Sequence, residues 1–516
     1  MSAHESVHTT YEALRWHWRF CELSYLGGRE YLEPDIEQVS SAAVRTGTGE
    51  ETSERLTVDR RAMKSFLFPH NREENYDYEQ RRARAFYRNL TRPIVDTYAA
   101  HVMGAGIDRD AGATPALDAF WLDADLRGST ADEFLRDGLV LAQVFGHAFC
   151  VVDMPRVAPA DVRSVADKQA LGLRPYATWF SPLSVVDWET DRFGSLGWVR
   201  LVERDWREAR GGPGPQMKEK FVYRTWYADR WTLAEEGKDG HEGETVDEGP
   251  NPLGRVPVEV LYAGRRPGDV NPVGVSRIAD IAFLNREVFN LDNMKQDLLY
   301  HQTFAFLTIP DPAGRVSRAD IGIHRAFGYD PAGGGPPSYV GPPTEYVTAI
   351  REEIADLVLQ IRALAGLSRG VGEQSIAARS GDALLVETQD KTAMLRALSH
   401  EAEDFETRLA ALVAAWEGAE WTGHVRYGDD YQASALVEEL DVALKYKDLG
   451  PPREASAEVL MLITRRLLRH LPERQLAAVL DAVKREAAEP KEPAAPPPGF
   501  VPPPNGEAEE PAAMPE

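Results

Sequence analysis

The stretch of sequence that decides the fold lies between Glu345 and Trp416, and its centre, residues 366–381, reads GLSRGVGEQSIAARSG. This centre is rich in small residues and has no apolar periodicity, so it predicts a loop. The residues before it predict a helix, because apolar side chains recur there at helical spacing, at Ile350, Ile354, Leu357, Ile361 and Leu364. The residues after it predict a longer helix with a narrow apolar stripe that suits packing along a neighbouring helix; the stripe is Leu395, Leu398, Ala402, Phe405, Leu409, Leu412 and Trp416.

Composition predicts a large globular protein with an acidic surface. Of its 516 residues, 43% are hydrophobic and 9% aromatic, which is enough for a substantial core. The net charge of −24 disfavours a broad grip on DNA or on an anionic membrane, but it permits DNA to slide past. Cys21 and Cys150 are too few for a four-thiolate zinc site or a disulfide framework, and they fit a reducing cytoplasm. No apolar run approaches the ~20 residues of a membrane span, and residues 1–15 do not form an export signal.

The N-terminal part predicts two helices, one within residues 4–34 that ends near Gly27-Gly28 and a long one from Tyr76 to Met103. The long helix carries a group of basic side chains, namely Arg81, Arg82, Arg84, Arg88 and Arg92. One interpretation is a basic face for nucleic acid or a partner. We favour the other, an exposed face whose arginines pair with the surplus carboxylates of the chain.

The next region predicts a helix from Asp132 to Phe145 and then an antiparallel meander. Gly146 ends the helix before a buried strand at residues 148–153. Regularly spaced strand signals follow at residues 176–180, 185–188, 198–202, 221–227, 230–233 and 256–262. Residues 205–217 and 235–251 are expected to be exposed hairpin tips.

A long helix from Ser276 to about Thr303, with Ser276 as N-cap, is predicted after a proline- and glycine-rich hinge. One face of this helix is apolar and the opposite face carries amides and carboxylates, so we expect the helix to be half exposed to water; the polar face comprises Asn285, Asn290, Asp292, Asn293, Gln296 and Asp297. Residues 304–345 are rich in proline and glycine. They are too few for a core of their own, so we expect another subunit to complete their burial.

The C-terminal part predicts a returning strand at Val425-Arg426-Tyr427 and three short helices. The helices are expected at residues 434–447, 453–471 and 473–486. Residues 490–516 are rich in proline, alanine and glutamate and are expected to be disordered or polyproline-like.

No motif in the sequence predicts catalysis. The phosphate-binding Gly-x-x-x-x-Gly-Lys-Ser/Thr loop, the Gly-x-Ser-x-Gly elbow and the His-Glu-x-x-His helix are all absent from the sequence. The pair Asp429-Asp430 could ligate a metal, but a turn that caps the next helix is the simpler interpretation. We therefore expect neither an enzyme nor a cofactor.

Residues 11–487 contain short motifs that, in their order and spacing, resemble the tailed-bacteriophage portal proteins, which form the ring at the DNA entry vertex of the capsid. The N-terminal motifs are Tyr31-Leu32-Glu33-Pro34 and Tyr78-x-x-Arg81-x-x-x-Ala85-Phe86-Tyr87-x-Asn89-x-Thr91. The later ones are Gly146-x-Ala148-x-x-x-Val152-Asp153-x-Pro155, Gly254-x-Val256-Pro257, Asp280 with Leu284-Asn285, and Ser380-Gly381-Asp382-Ala383-Leu384.

The resemblance implies an α+β, portal-type fold with long stem and wing helices, an antiparallel β wing region, a small clip subdomain and a helical crown. Its parts would be the wing (1–273), a stem helix (274–303), the clip (304–345), a second stem helix (346–366), the tunnel loop (367–381), the long wing helix with its returning strand (382–432), the crown (433–487) and a disordered Pro/Glu-rich tail (488–516).

The function implied by the resemblance is that of a DNA channel in the virion. The chain would form a homo-oligomeric ring, usually a dodecamer, assembled in the host cytoplasm and placed at the portal vertex. Its partners would be the terminase large subunit, the major capsid and scaffolding proteins, the head–tail adaptor and the double-stranded DNA that passes through. The tunnel loop would present Arg369, Glu373, Gln374, Ser375 and Arg379 to DNA, with Gly381 as the hinge into the long helix.

Two alternatives remain open from the sequence alone. The first is a phage scaffold or adaptor that has no channel and forms coiled-coil contacts through the stripe from Leu395 to Trp416. The second is a hydrolase with an unrecognised metal site near Asp429-Asp430.

Overall fold

The structure is a computed structural model, and it is mixed α+β. It describes residues 7–34, 65–70, 73–155, 173–209, 216–236, 242–303, 306–310, 326–329, 336, 338–340, 345–367, 381–428, 431, 445–446, 453–467 and 473–488. The chain divides into two compact units, Met1–Gln432 and Ala433–Glu516. None of the helices that the structure describes is long and apolar enough to cross a membrane.

The first unit contains nine helices among its described residues. They are α1 (Thr9–Leu26), α2 (Gly28–Leu32), α3 (Asn75–Arg84), α4 (Thr91–Gly104), α5 (Pro115–Leu122), α6 (Ala131–Phe145), α7 (Ala279–Thr303), α8 (Glu345–Leu364) and α9 (Gly381–Trp416). Within the second unit, α10 (Arg453–Leu467) packs against α11 (Glu473–Ala488). Most of the helix predicted at residues 434–447 and the tail from residue 490 lie outside the described residues.

The strands that the structure describes in the first unit form four sheets. They are β1 (Ile107–Asp110), β2 (His147–Asp153), β3 (Tyr176–Phe180), β4 (Val185–Thr190), β5 (Leu196–Ala209), β6 (Gln216–Tyr227), β7 (Arg230–Glu236), β8 (Glu242–Pro250), β9 (Val258–Tyr262), β10 (Phe306–Pro310), β11 (Ala326–Tyr329), β12 (Ser338–Val340) and β13 (His424–Tyr427). The sheet orders are β4-β5-β6-β7-β8, β3-β2-β9, β1-β13 and β11-β10-β12.

The predicted antiparallel meander is confirmed for the five-stranded sheet, with three corrections. β3 belongs to the sheet of β2 and β9, where Phe149 lies opposite Phe180. The predicted tip at residues 205–217 is wrong, because β5 and β6 stay paired as far as Ala209 and Gln216. The predicted tip at residues 235–251 contains strand β8. In both places the strands stay paired through their backbones beyond the residues whose alternating apolar and polar side chains predict a strand.

The long helix predicted from Tyr76 to Met103 is two helices, α3 and α4, separated by extended residues 85–90. Asn89 Oδ1 accepts hydrogen bonds from the backbone N–H groups of Thr91 (3.1 Å) and Arg92 (2.9 Å), which is how an N-cap residue satisfies the free donors of a helix start. Pro93 lies in this first turn, where a missing N–H costs nothing. Pro93 is therefore the sequence signal that the single-helix prediction overlooked.

The core of the first unit is built on the apolar stripe of α9. Leu395, Leu398, Phe405 and Leu412 are fully buried, and the helix contacts α4, α5, β2, β9 and β13. The stripe was expected to pack along a neighbouring helix, but strands supply much of its contact. These contacts bury one face of α9 in the core of the unit, while the opposite face is exposed.

Candidate functional site: the anchors of the long helices

The predicted DNA-contacting residues Arg369, Glu373, Gln374, Ser375 and Arg379 lie outside the described residues. Gly381, the predicted hinge, is the first residue of α9. The structure describes the chain on both sides of residues 368–380. The two flanks form a site that we call the loop root, consisting of Tyr98, His101, Ala365, Gly366, Lys391 and Met394.

The chain enters residues 368–380 from a defined helix end. Gly366 has φ +60°, the left-handed conformation that glycine adopts without a steric penalty. The N–H of Leu367 donates to the carbonyl of Arg362 (2.9 Å), and the N–H of Gly366 donates to that of Ala363 (3.0 Å). This pair of bonds is the Schellman motif, which satisfies the last carbonyls of a helix. The last turn of α8 therefore has a fixed direction.

Both flanks of residues 368–380 meet α4. The hydroxyl of Tyr98 donates to the carbonyl of Ala365 (2.6 Å), and it lies 3.5 Å from Met394 Sδ on α9. One turn along α4, His101 Nε2 lies 3.1 Å from Lys391 Nζ. Burial, together with this ammonium, lowers the pKa of His101, so the ring is neutral near pH 7 and can accept a hydrogen bond from Lys391. The end of α8 and the part of α9 around Lys391 and Met394 therefore both lie beside α4.

The polar face of α7, predicted to be half exposed to water, is instead largely buried. Asn285, Asp292 and Asn293 are 0%, 3% and 2% exposed. Asn285 Oδ1 accepts from the N–H of Leu90 (2.9 Å), and its amide donates to the carbonyl of Arg88 (3.0 Å). The prediction of a wet face was wrong because extended residues 85–90 have no secondary-structure partners, and the amides of α7 supply them.

Two further amides of α7 repeat this arrangement. Asn293 binds the N–H of Phe86 (3.1 Å) and the carbonyl of the same residue (3.2 Å). Asn290 accepts from the N–H of Phe68 (2.7 Å) and donates to the carbonyl of Phe66 (3.0 Å). We call Asn285, Asn290 and Asn293 the amide row. Each member pairs one backbone donor and one backbone acceptor of an irregular segment.

The predicted pairing with carboxylates is confirmed for four of the five basic residues; the fifth, Arg92, donates to the carbonyls of Tyr25 and Leu26. The exposure of these residues differs from the prediction. Arg84 pairs with Asp297 (3.3 Å) and Arg88 with Asp292 (2.9 Å), so these arginines bind α7. Arg81 pairs with Glu73 (2.7 Å) and is 5% exposed rather than on a solvated face. The guanidinium groups of α3 and its extension are therefore used within the fold.

The start of α7 is fixed where it crosses the end of α6. Gly146 and Gly274 approach so closely that a Cβ on Gly274 would lie 2.1 Å from the carbonyl oxygen of Gly146. Ser276 was predicted to cap α7, but α7 begins at Ala279. The Ser276 hydroxyl instead donates to the carbonyl of Val144 (2.6 Å), and the N–H of Arg277 donates to the carbonyl of Gln143 (3.1 Å). The segment before α7 therefore caps the C-terminus of α6.

His147 lies beneath this crossing and is fully buried. Its Nδ1 accepts a hydrogen bond from the N–H of Gly274 (3.2 Å), and Nε2 has no hydrogen-bond partner among the described residues. Burial, reinforced by the positive charge of Arg266, lowers the pKa of His147 to about 3. The ring is therefore neutral under ordinary conditions.

A buried ionic cluster joins α9 to β1 and β13. Arg109 Nε lies 2.5 Å from Glu406 Oε1 and Arg109 Nη1 lies 2.6 Å from Asp132 Oδ1, while the hydroxyl of Tyr427 donates to Glu406 (2.7 Å). Burial alone would lower the pKa of the Arg109 guanidinium, but the carboxylates of Glu406 and Asp132 together have the larger effect and raise it. Burial also raises the pKa of Glu406, against the effect of Arg109. We take the pair as ionised because two donors face this carboxylate.

Among the described residues, no group of three histidine, cysteine, aspartate or glutamate side chains could hold a metal ion. Cys21 and Cys150 are buried free thiols. Burial raises the pKa of Cys21 to about 12 and raises that of Cys150 as well, so neither thiol is an activated nucleophile. Asp429-Asp430 lies outside the described residues.

Sequence analysis identified none of the anchors as a site. The amide row is visible in the sequence only as three asparagines on one helix face, where they alternate with charged residues. Arg109 and Glu406 left no signal, because 297 residues separate them.

Comparisons with known proteins give structural similarities only. No family model and no curated protein matches the chain. Among solved structures, a chain from the virion of a native gene transfer agent (GTA) particle is 12% identical, with a TM-score of 0.34; the match covers 74% of this chain and 89% of that one. A chain from the neck of an empty GTA particle, computed with C6 symmetry, is 10% identical with a TM-score of 0.38, covering 71% and 88%.

Proposed function

We propose that this chain is a portal protein, which forms a ring-shaped channel at one vertex of a phage-type capsid. The observation that carries the proposal is the arrangement around α7 and α8. These two helices pack along each other and are joined through the small β11-β10-β12 sheet, and α8 ends at the loop root. This arrangement supports the order of stem, clip, stem and tunnel loop that the resemblance implies.

The exposed side chains near the small sheet support assembly with other copies. Leu299 and Tyr300, at the end of α7, are 43% and 47% exposed, and Tyr346, at the start of α8, is 59% exposed. The opposite ends of the same helices are anchored in the core by Ile281 and Ile361. Large apolar side chains that are this exposed at one end of a helix pair support contact with a neighbouring subunit.

In the proposed ring, residues 368–380 of every subunit face the axis, and DNA passes between them. Arg369, Glu373, Gln374, Ser375 and Arg379 would make few and reversible contacts, since each neutralised phosphate adds a salt-dependent hold. The net charge of −24 supports a conduit that does not adsorb DNA. The ring would dock the terminase during packaging and the head–tail adaptor afterwards, and it would catalyse no reaction itself.

Electron microscopy of the purified protein tests the proposal. Negatively stained particles should be rings with a central hole. A uniform population of rods or monomers, over the range of concentration and salt in which the protein stays folded, would refute the channel.

A second experiment tests the assignment of the tunnel loop. Replacing Gly370 and Gly372 by tryptophan should leave rings intact and strongly reduce the DNA packaged into capsids. Replacing the same residues by alanine is the matched control and should have little effect. Packaging that is equal in both variants would show that these residues do not face the channel.

The scaffold alternative depended on an available apolar stripe on the long helix. In the structure that stripe is buried within its own unit, with Leu398 and Phe405 at 0% exposure. The stripe therefore offers no surface for a coiled coil, and the channel is the function we propose.

A further inference from the structure

A cleft with a cavity of about 510 Å³ lies between α1, α4, α6 and β3. Its lining combines aromatic and acidic side chains, including Tyr25, Asp96, Asp125, Phe134, Asp137 and Trp179. Arg127 and Arg136 stand at the same cleft, so three carboxylates face two guanidinium groups and the net charge is 2 − 3 = −1. We call it the acidic cleft.

The aromatic wall of the acidic cleft is rigid. Trp179 stacks on Phe134 with ring centroids 5.0 Å apart, and its indole N–H donates to the carbonyl of Phe134 (2.8 Å). A Cβ on Gly138 would lie 2.1 Å from the indole, so only glycine at this position lets the ring lie against α6. Phe405 stacks on the same indole, with ring centroids 5.1 Å apart. Two rings of the same chain therefore cover the indole, and the wall presents the fixed edge of Trp179 to the cleft, which suits an edge-to-face contact with another ring.

None of the three carboxylates of the acidic cleft forms an ion pair with a residue that the structure describes. Asp96 accepts the hydroxyl of Tyr25 (2.9 Å), and Asp125 accepts from Ser129 (2.9 Å) and from the N–H of Arg127 (2.9 Å). Asp137 is exposed and makes no hydrogen bond with any described residue. Partial desolvation raises the pKa of Asp137, and the charges of Asp125 and Glu133 add to the shift against Arg136. An exposed carboxylate that lacks a cation is stabilised by an incoming guanidinium group.

A knob of complementary chemistry projects from the turn between β4 and β5. Phe193 is 76% exposed, and the guanidinium of Arg192 lies 4.5 Å from the centre of its ring. Asp191 fixes the turn by accepting from the N–H groups of Phe193 (2.8 Å) and Ser195 (2.9 Å). A large aromatic residue held this far into solvent by a rigid turn is typical of an interface anchor.

We propose that Arg192 and Phe193 of one subunit insert into the acidic cleft of a second copy of this chain. Phe193 would pack on the wall of Trp179, and Arg192 would face Asp137. No residue of the turn lines the cleft of its own chain. A knob and a cleft at different places on one molecule make a head-to-tail contact, the kind that closes a ring. This inference rests on the proposed function, and it adds which surfaces of neighbouring subunits are in contact.

Charge reversal at each side of the contact gives the test. Arg192→Asp and Asp137→Arg should each raise the protein concentration needed for assembly at least tenfold, measured by mass photometry and sedimentation velocity. Mixing the two variants should restore assembly, because in alternating order every contact again joins opposite charges. Restored assembly on mixing is not expected from variants that misfold, and circular dichroism of each variant checks its fold.

The matched control for the apolar part compares two exposed side chains. Phe193→Ala should weaken assembly, whereas Leu122→Ala, at a residue that is 75% exposed and outside the cleft, should not. Rings that form at the parental concentration in all the knob and cleft variants would overturn the inference and leave the channel standing. Absence of rings in the parent protein would instead refute the proposed function.

Discussion

The two longest helices of the first unit, α7 and α9, are held in opposite ways. Over 25 residues, α7 turns amides inward, and the amide row fixes the backbone of segments that have no regular structure. Over 36 residues, α9 turns an apolar stripe inward and adds one buried ionic cluster, Arg109 with Glu406. α7 holds segments that have no regular secondary structure, whereas α9 packs against strands and helices whose backbone groups are mostly hydrogen-bonded already.

This difference follows from what each neighbour lacks. Strands and helices pair most of their own N–H and C=O groups, so α9 mainly fills space beside them, and it adds hydrogen bonds from Arg408 and Trp416 to strand carbonyls. Residues 66–68 and 85–90 belong to no helix or sheet, so their backbone groups need partners from side chains. Asparagine suits this task because one side chain offers a donor and an acceptor at once. The comparison predicts that α9 depends on packing and charge, and α7 on individual hydrogen bonds.

The largest effect is expected at Glu406. Glu406→Ala leaves Arg109 with only the exposed carboxylate of Asp132 and removes the acceptor of the Tyr427 hydroxyl, so we expect a loss at the low end of the range for breaking a buried pair, about 3 kcal/mol. The free energy of unfolding from urea titrations, followed by tryptophan fluorescence, measures it. The control replaces both partners, Arg109→Met with Glu406→Leu, which should cost far less because the one charge left without its partner, on Asp132, is exposed. A loss below about 1 kcal/mol for Glu406→Ala would mean that water reaches the cluster.

The amide row should give a graded series. Asn285→Ala leaves the N–H of Leu90 and the carbonyl of Arg88 unsatisfied in the interior, which we expect to cost about 2–3 kcal/mol. Asn290→Ala frees groups at Phe66 and Phe68 that lie nearer to solvent, and about 1 kcal/mol is expected. Urea titrations of both variants measure the two costs. Equal losses at the two positions would contradict the role of burial.

The elements that local patterns specify were predictable from the sequence. Apolar alternation located the strands at residues 176–180 and 258–262, and helical spacing located α8 and α9. The conformation of residues 85–90 was not predictable, because their partner Asn285 is 195 residues from Leu90. The loop root was equally hidden, because Tyr98 and Ala365 are 267 residues apart. Contacts of this range leave no periodicity to read, and the DNA-facing role of residues 367–381 stays a prediction.

The start of α7 should respond to pH through His147. Its pKa of about 3 in the folded chain lies below the value of about 6.5 for an unfolded chain, so the unfolded state binds the extra proton first. Above about pH 6.5, His147 therefore does not reduce the free energy of unfolding. Below that pH the free energy of unfolding falls by about 1.4 kcal/mol per pH unit until the pH reaches the folded pKa. Unfolding titrations at several pH values should show a shallower slope for His147→Gln. The matched control, exposed His400→Gln, should keep the parental slope.

The smallest effect is expected at the loop root. Tyr98→Phe removes the hydrogen bond to Ala365 but keeps the ring, so the loss of stability should be about 1 kcal/mol. The change should be local, because the Schellman motif at Gly366 and the packing of Leu395 remain. Hydrogen exchange should therefore quicken at residues 365–367 and 391–395 and stay unchanged along β5 and β6. Val102→Ala, one turn along the same helix and fully buried, is the contrast: it should lower stability through lost packing without singling out those two segments. If Tyr98→Phe left exchange at residues 365–367 unchanged, the helix end would be held by its own backbone bonds, and α9 would enter the fold without help from α4.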